Sequence, residues 1–172
     1  MPEKKTIERA RKAKREGKVP STQAGEFVRE TMEHIREGKH GARSTKQAIA
    51  IGLSKARRAG VDLPPPEKGK TSEKTRRSAQ SAYEAGHDGH AHKTNPRRSR
   101  AISKALRREG HSAASHAALA RQAKSQARQR SAAERHTIGK KAARTRLAHQ
   151  THKERSAIAR KAARTRKERH GR

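Results

Sequence analysis

The clearest hydrophobic periodicity lies in "STQAGEFVRETMEHIREGKHG", where Val28, Met32 and Ile35 recur at i, i+4 and i+7. That spacing puts them on one side of a 3.6-residue repeat, with Ala24 and Phe27 beside them, and predicts an amphipathic helix. Gly38 is its expected stop. A second helix follows in "STKQAIAIGLSKARRAGV", where Ile49, Leu53 and Ala56 share a face that Ala48 and Ile51 widen. Ser44 and Gln47 have the spacing of a capping box, which satisfies two exposed backbone donors at a helix start. Gly60 followed by Val61 predicts a Schellman stop with its hydrophobic contact, and Pro64-Pro65-Pro66 prevents continuation. Together these signals predict a helical hairpin over residues 22–63, marginal by itself because two short helices bury little.

Elsewhere the pattern weakens. Residues 3–16 read as a helix with only Ile7, Ala10 and Ala13 apolar, ended by Gly17 and then by Val19-Pro20. Residues 64–97 read as a flexible linker rich in Pro, Gly, Lys and Ser, within which "SEKTRRSAQSAYEAG" has helical spacing and "HDGHAHKTNP" reads as loop. A further helix is expected at about 98–109, where Ile102, Ala105 and Leu106 line up before Gly110. From Ser112 onward the chain is mainly Ala, Arg, Lys, Gln and Ser, without a proline after Pro96, and Ala is the best helix former.

Charge changes the picture. Lys plus Arg number 46 against 16 Asp plus Glu, a net of +30 in 172 residues. Hydrophobic residues are 28%, mostly Ala, with one Phe, one Tyr and no Trp. Few bulky side chains and a high net charge predict short helices and a small helical hairpin joined by disordered basic linkers, an all-α chain without a large globular core. The expected organisation is a basic segment at 1–21, the hairpin at 22–63, the linker at 64–97 and a basic helical tail at 98–172. The tail carries most of the excess: residues 97–172 hold 24 basic and 4 acidic residues, residues 1–96 hold 22 and 12. A polycation of this kind attracts polyanions.

Within the tail one phrase is written twice. "ERHTIGKKAARTR" at 134–146 returns as "ERSAIARKAARTR" at 154–166, identical at nine of thirteen positions. Its caps recur in register, as Ser131 with Glu134 and Thr151 with Glu154. A shift of twenty residues at about 100° each turns the second copy by roughly 200°, so one unbroken helix would face the copies in nearly opposite directions. Two helices, about 132–148 and 152–169, can present the same face to one partner. Lys140, Lys141, Arg144 and Arg146, with Arg160, Lys161, Arg164 and Arg166, are the expected phosphate contacts. Arg97, Arg98 and Arg100 in "NPRRSR" join them as a basic turn suited to a minor groove, with a solvated linker the equal alternative.

These features point to a non-enzymatic, largely sequence-independent DNA-binding protein. Double-stranded DNA is the favoured partner and RNA the alternative, with a protein-binding adaptor as a third reading. The shortage of aromatic residues weighs against modules that stack single-stranded bases. The hairpin's apolar face, larger than two helices cover, suggests self-association through residues 22–63. No cofactor is expected: there is no Cys, no P-loop, no dinucleotide fingerprint and no arrangement suggesting a triad. His87, His90 and His92 in "HDGHAH" are weak candidate metal ligands; free, titrating loop histidines are the simpler reading. With neither a secretory signal nor a transmembrane segment, a cytoplasmic, nucleoid location is expected and a membrane partner is not.

The segment "GKHGARSTKQAIAIGLSKARRAG", residues 38–60, resembles an uncharacterised family of small basic bacterial proteins, a domain of unknown function. Ser44, Gln47, Ala48, Ile49, Ala50, Ile51, Leu53 and Ser54 match its Ser-x-x-Gln-Ala-Ile-Ala-Ile-x-Leu-Ser pattern. Ala56, Arg57, Ala59 and Gly60 match the Ala-Arg-x-Ala-Gly that follows. The resemblance implies a bacterial source and brings no catalytic residue. The tail is similar in composition to the Ala/Lys-rich tails of linker-histone-like nucleoid proteins.

Overall fold

A computed structural model describes residues 2–88 and 95–170, and among these residues the structure is eight α-helices, one 3₁₀ turn and no strand. The helices are α1 (Lys4–Arg15), α2 (Pro20–Arg36), α3 (Thr45–Arg58), α4 (Glu73–His87), α5 (Pro96–Arg107), α6 (His116–Gln129), α7 (Ala132–His149) and α8 (His152–His170), with the 3₁₀ turn at Ser112–Ala114. They fall into two units that divide between Ala123 and Lys124.

The all-α expectation holds; disordered joints throughout do not. In the first unit the α2–α3 hairpin forms as its periodicity predicts, and other parts of the chain cover both of its ends. At one end α1 lays Ala10 against Ala24, Phe27, Ala56 and Val61, with Ile7, Leu53 and Leu63 at the margin. At the other end Ala113 and Ala114 of the 3₁₀ turn pack with Met32, Ile35, Ala42 and Ala48, flanked by Val28, Ile49 and Leu119. Much of the hairpin's apolar surface is thus covered within the chain, with Val28, Ile49 and Leu53 half-buried. Residues 73–87, read within a flexible linker, form α4, which packs on α3 and buries Ala79 and Ala82. The Tyr83 hydroxyl ties α4 to the loop after α3 by donating to Asp62 Oδ1 at 2.7 Å.

Alanine makes this core. Ten of the fourteen buried hydrophobic residues among those described are Ala, so backbones come close where bulky side chains would hold them apart. Gly52 marks the tightest point of the α2–α3 crossing: a β-carbon there would stand 2.6 Å from the Val28 Cα.

The helix ends follow their sequence signals. Ser44 Oγ accepts the Gln47 N–H at 3.2 Å, while the Gln47 side chain accepts from Arg43 N–H, at 2.8 Å, and not from Ser44. Gly60 has φ +79°, the left-handed conformation a Schellman stop requires, and Val61 N–H donates to Ala56 C=O at 3.1 Å. Pro20 begins α2 in its first turn, where a missing N–H costs nothing.

Two buried charges lock the unit. Glu30 is 2% exposed; its carboxylate accepts from Lys55 Nζ at 2.9 Å and from Glu3 N–H at 3.1 Å. Burial raises the Glu30 carboxyl, and the Lys55, Thr6 and Glu3 donors outweigh burial to hold it below its ordinary value. Arg57, also buried, donates to the Leu63 and Pro64 carbonyls at 3.0 and 3.2 Å and so shapes the turn after α3. Burial lowers its pKa.

Candidate nucleic-acid interface

The second unit carries the repeated phrase as two separate helices. Gln150, at φ −101° and ψ 133°, is extended and breaks the chain between α7 and α8. Each new start is capped as its sequence predicts. Ser131 Oγ accepts Glu134 N–H at 3.1 Å while Glu134 Oε2 accepts Ser131 N–H at 2.8 Å. Thr151 Oγ1 accepts Glu154 N–H at 3.3 Å and Glu154 Oε2 accepts Thr151 N–H at 2.8 Å. The Thr151 N–H, foremost, and the Thr151 hydroxyl, which donates to the same Oε2 at 2.9 Å, lower the Glu154 carboxyl below its ordinary value. Further along, Thr145 and Thr165 each donate a hydroxyl to the carbonyl four residues back, Lys141 and Lys161, at 3.0 and 3.1 Å. The two copies therefore fold alike in detail.

Neither helix has a core to pack against. Every described side chain of α7 is exposed, and in α8 all but the half-buried Ser156 are. Even Ile138, Leu147 and Ile158 stand 47%, 53% and 53% exposed. Lys140, Lys141, Arg144 and Arg146 make no ion pair among the described residues, nor do Arg160, Lys161 and Arg166. Arg164 Nε meets Glu168 at 3.0 Å, a solvated i,i+4 pair that a phosphate can displace. At about 100° per residue, Lys140, Lys141 and Arg144 share one face, as do Arg160, Lys161 and Arg164. Arg146 and Arg166 point elsewhere, so each helix is ringed with charge more than striped.

Arg97, Arg98 and Arg100 do not sit on a turn. They belong to the opening of α5, whose Asn95 Oδ1 accepts the Arg97 and Arg98 N–H groups at 3.0 and 3.2 Å. Asn before Pro is a strong helix start, with Pro at the first helical position, and this outweighs the turn reading. The structure adds residues that sequence reasoning missed. Lys104, Arg107 and Arg108 join Arg100, Ser99 and Ser103 around a shallow, open groove of about 530 Å³ between exposed side chains of the single helix α5. The spacing 100, 104, 107 was the available signal, obscured by the general abundance of basic residues.

Of the weak metal candidates, His87 is exposed, stacks on Tyr83 with ring centres 4.0 Å apart, and lies 2.8 Å from the Tyr83 carbonyl through Nδ1. His90 and His92 lie outside the described residues. Among the described residues no group of three or more His, Asp or Glu is placed to hold a metal ion, and no helix is long and apolar enough to cross a membrane.

No curated protein and no solved structure matches the chain. Residues 3–68, which span α1 to α3 and the turn after them, contain the Ser44–Gly60 segment, and stop short of the basic tail, match the model of a family of unknown function (DUF6496).

Proposed function

We propose that this chain is a non-enzymatic, largely sequence-independent binder of double-stranded DNA, of the nucleoid-associated, linker-histone-like kind, acting in the bacterial cytoplasm. One observation carries the reading. The tail spends its caps and alanines on two helices that bury nothing, while their cations meet almost no carboxylate. Most helical stability in proteins comes from tertiary packing, which these helices lack, so a partner that stabilises them has much to add. Phosphate neutralisation provides it: each Lys or Arg that meets a phosphate releases condensed counterion, and the entropy of release drives binding without regard to base sequence. Alanine at the centre of each phrase lets the helix backbone come close to a groove or phosphate.

RNA is the rival partner. The aromatic shortage disfavours base-stacking modes but leaves arginine-rich contacts to structured RNA open. A competition assay separates them. Full-length protein on labelled duplex DNA is challenged with equal nucleotide-phosphate amounts of unlabelled duplex or structured RNA at matched salt. The proposal expects duplex DNA to compete better; RNA competing severalfold better reverses the assignment.

A further inference from the structure

The cations of α5 are arranged differently from those of the tail. At about 100° per residue, Arg100, Lys104, Arg107 and Arg108 fall within an arc of about 100°. Together with Ser99 and Ser103 they line the groove of about 530 Å³, four positive charges and two hydroxyls without a carboxylate. Lys104, Arg107 and Arg108 make no ion pair among the described residues, and Arg100 Nε donates only to its own helix, at the Pro96 carbonyl, 3.3 Å away. Like charges held together repel, and an anion seated among them relieves that repulsion.

The helix that carries them buries none of its own residues, but its C-terminal end is tied to the folded unit. The Leu106 carbonyl accepts Gly41 N–H at 2.8 Å and the Gly110 carbonyl accepts Ala42 N–H at 3.1 Å. Immediately beyond, Ala113 and Ala114 are buried in the core, where their carbonyls accept from Thr45 Oγ1 at 2.7 Å and from Arg36 Nε at 2.9 Å. The C-terminal end of the groove is therefore positioned by the folded unit before any ligand arrives.

We propose that the α5 groove is a preorganised site for consecutive phosphodiester phosphates of one nucleic-acid strand, a proposal that rests on the nucleic-acid reading above. The dimensions fit. From Arg100 to Arg108 the helix rises about 12 Å, along which one strand of a duplex carries about three to four phosphates at roughly 3.4 Å of axis each. Because the C-terminal end of α5 is held by the folded unit, contacts there cost less conformational entropy than contacts in the tail. The groove contributes more affinity per charge.

The test compares three full-length proteins on a labelled duplex by fluorescence anisotropy across about 50 to 300 mM salt. They are the wild type, Arg100→Gln/Lys104→Gln/Arg107→Gln, and Lys4→Gln/Lys5→Gln/Arg11→Gln. The last removes the same charge from exposed positions of α1. All the replaced side chains are exposed and Gln is a good helix former, so circular dichroism should be unchanged in both variants. The groove variant is expected to lose about tenfold or more in affinity, with its salt slope reduced by about 2.7, and the α1 variant less than about threefold. Equal losses in the two variants would mean that only net charge counts and would overturn the site. A wild type that binds no duplex would instead sink the nucleic-acid reading, and the site with it. Inorganic tripolyphosphate supplies the remaining arm: if it displaces duplex from the wild type at equal phosphate concentration, the phosphodiester assignment is overturned in favour of a free phosphate chain.

Discussion

At the residue scale, the first unit depends on a few positions whose chemistry has no substitute nearby. Glu30 and Lys55 form a pair closed to water on the carboxylate side, with Lys55 still 20% exposed at its side chain. Removing one partner strands the other. Glu30→Ala is expected to cost about 3 kcal/mol, the lower end for a broken buried pair because Lys55 retains some solvent; thermal unfolding measures it. Gly52→Ala tests the alanine core from the opposite direction. The added methyl meets the Val28 backbone first, at Cα, as well as its Cγ2, so a loss of about 1–3 kcal/mol is expected, where an ordinary mid-helix Gly→Ala change would stabilise. The sequence hid both effects. Glu30 is one Glu among several on α2, and Gly52 reads as a weak helix position until α2 is seen crossing it. The core was hidden for the same reason, since counting Phe, Ile, Leu and Met misses residues such as Ala24, Ala48, Ala56 and Ala114.

At the element scale, caps were the most legible feature. Ser44, Ser131 and Thr151 stand where short-range chemistry decides the outcome, and the helix stop at Gly60 needs only its own left-handed φ and the Val61 contact. α4 was less legible because its docking on α3 is a tertiary contact made by Ala79 and Ala82. The basic opening of α5 is less legible because its start signal lies in Asn95-Pro96, ahead of an Arg run that by itself suits a turn as well as a helix. The caps also give a test of the tail. Ser131→Ala with Thr151→Ala should lower tail stability by about 1 kcal/mol per helix and reduce helical circular dichroism in the free protein. Bound duplex should restore most of the lost signal, since phosphate contacts supply stability to the same helices. A loss that persists equally in the complex would argue that binding does not order the tail.

At the scale of the whole molecule, the two units should respond differently to acid. His40 sits where the α2–α3 loop meets the residues after α5. Burial, foremost, and the nearby Lys55, His34 and His111 lower its pKa, more than its contact with the Gly41 carbonyl raises it. A folded-state pKa below the unfolded value, near 6.5, means the unfolded chain binds the proton more readily. The stability this histidine contributes is complete above that value and is lost as pH falls through the lower folded one. Glu30, also lowered, begins to matter only below its ordinary value of 4.5. Between about pH 6.5 and 4.5, then, the first unit's melting temperature should fall with acid, and His40→Gln should flatten the trend. Arrangement also dictates where the chain can be cut. A deletion from residue 97 would strip Ala113, Ala114 and Leu119 from the core, whereas one from residue 124 follows the division between units. The shorter deletion should keep the first unit folded by circular dichroism while weakening duplex affinity by more than about tenfold at near-physiological salt.

The central claim is that cations on uncovered helices hold a nucleic-acid backbone by releasing its counterions. The most direct measurement is the affinity of the full-length protein for duplex DNA over a salt series. With about eight phosphates contacted, log K should fall against log salt with a slope near −7. Affinity that stays flat as salt rises severalfold, or no binding even in dilute buffer, would contradict it.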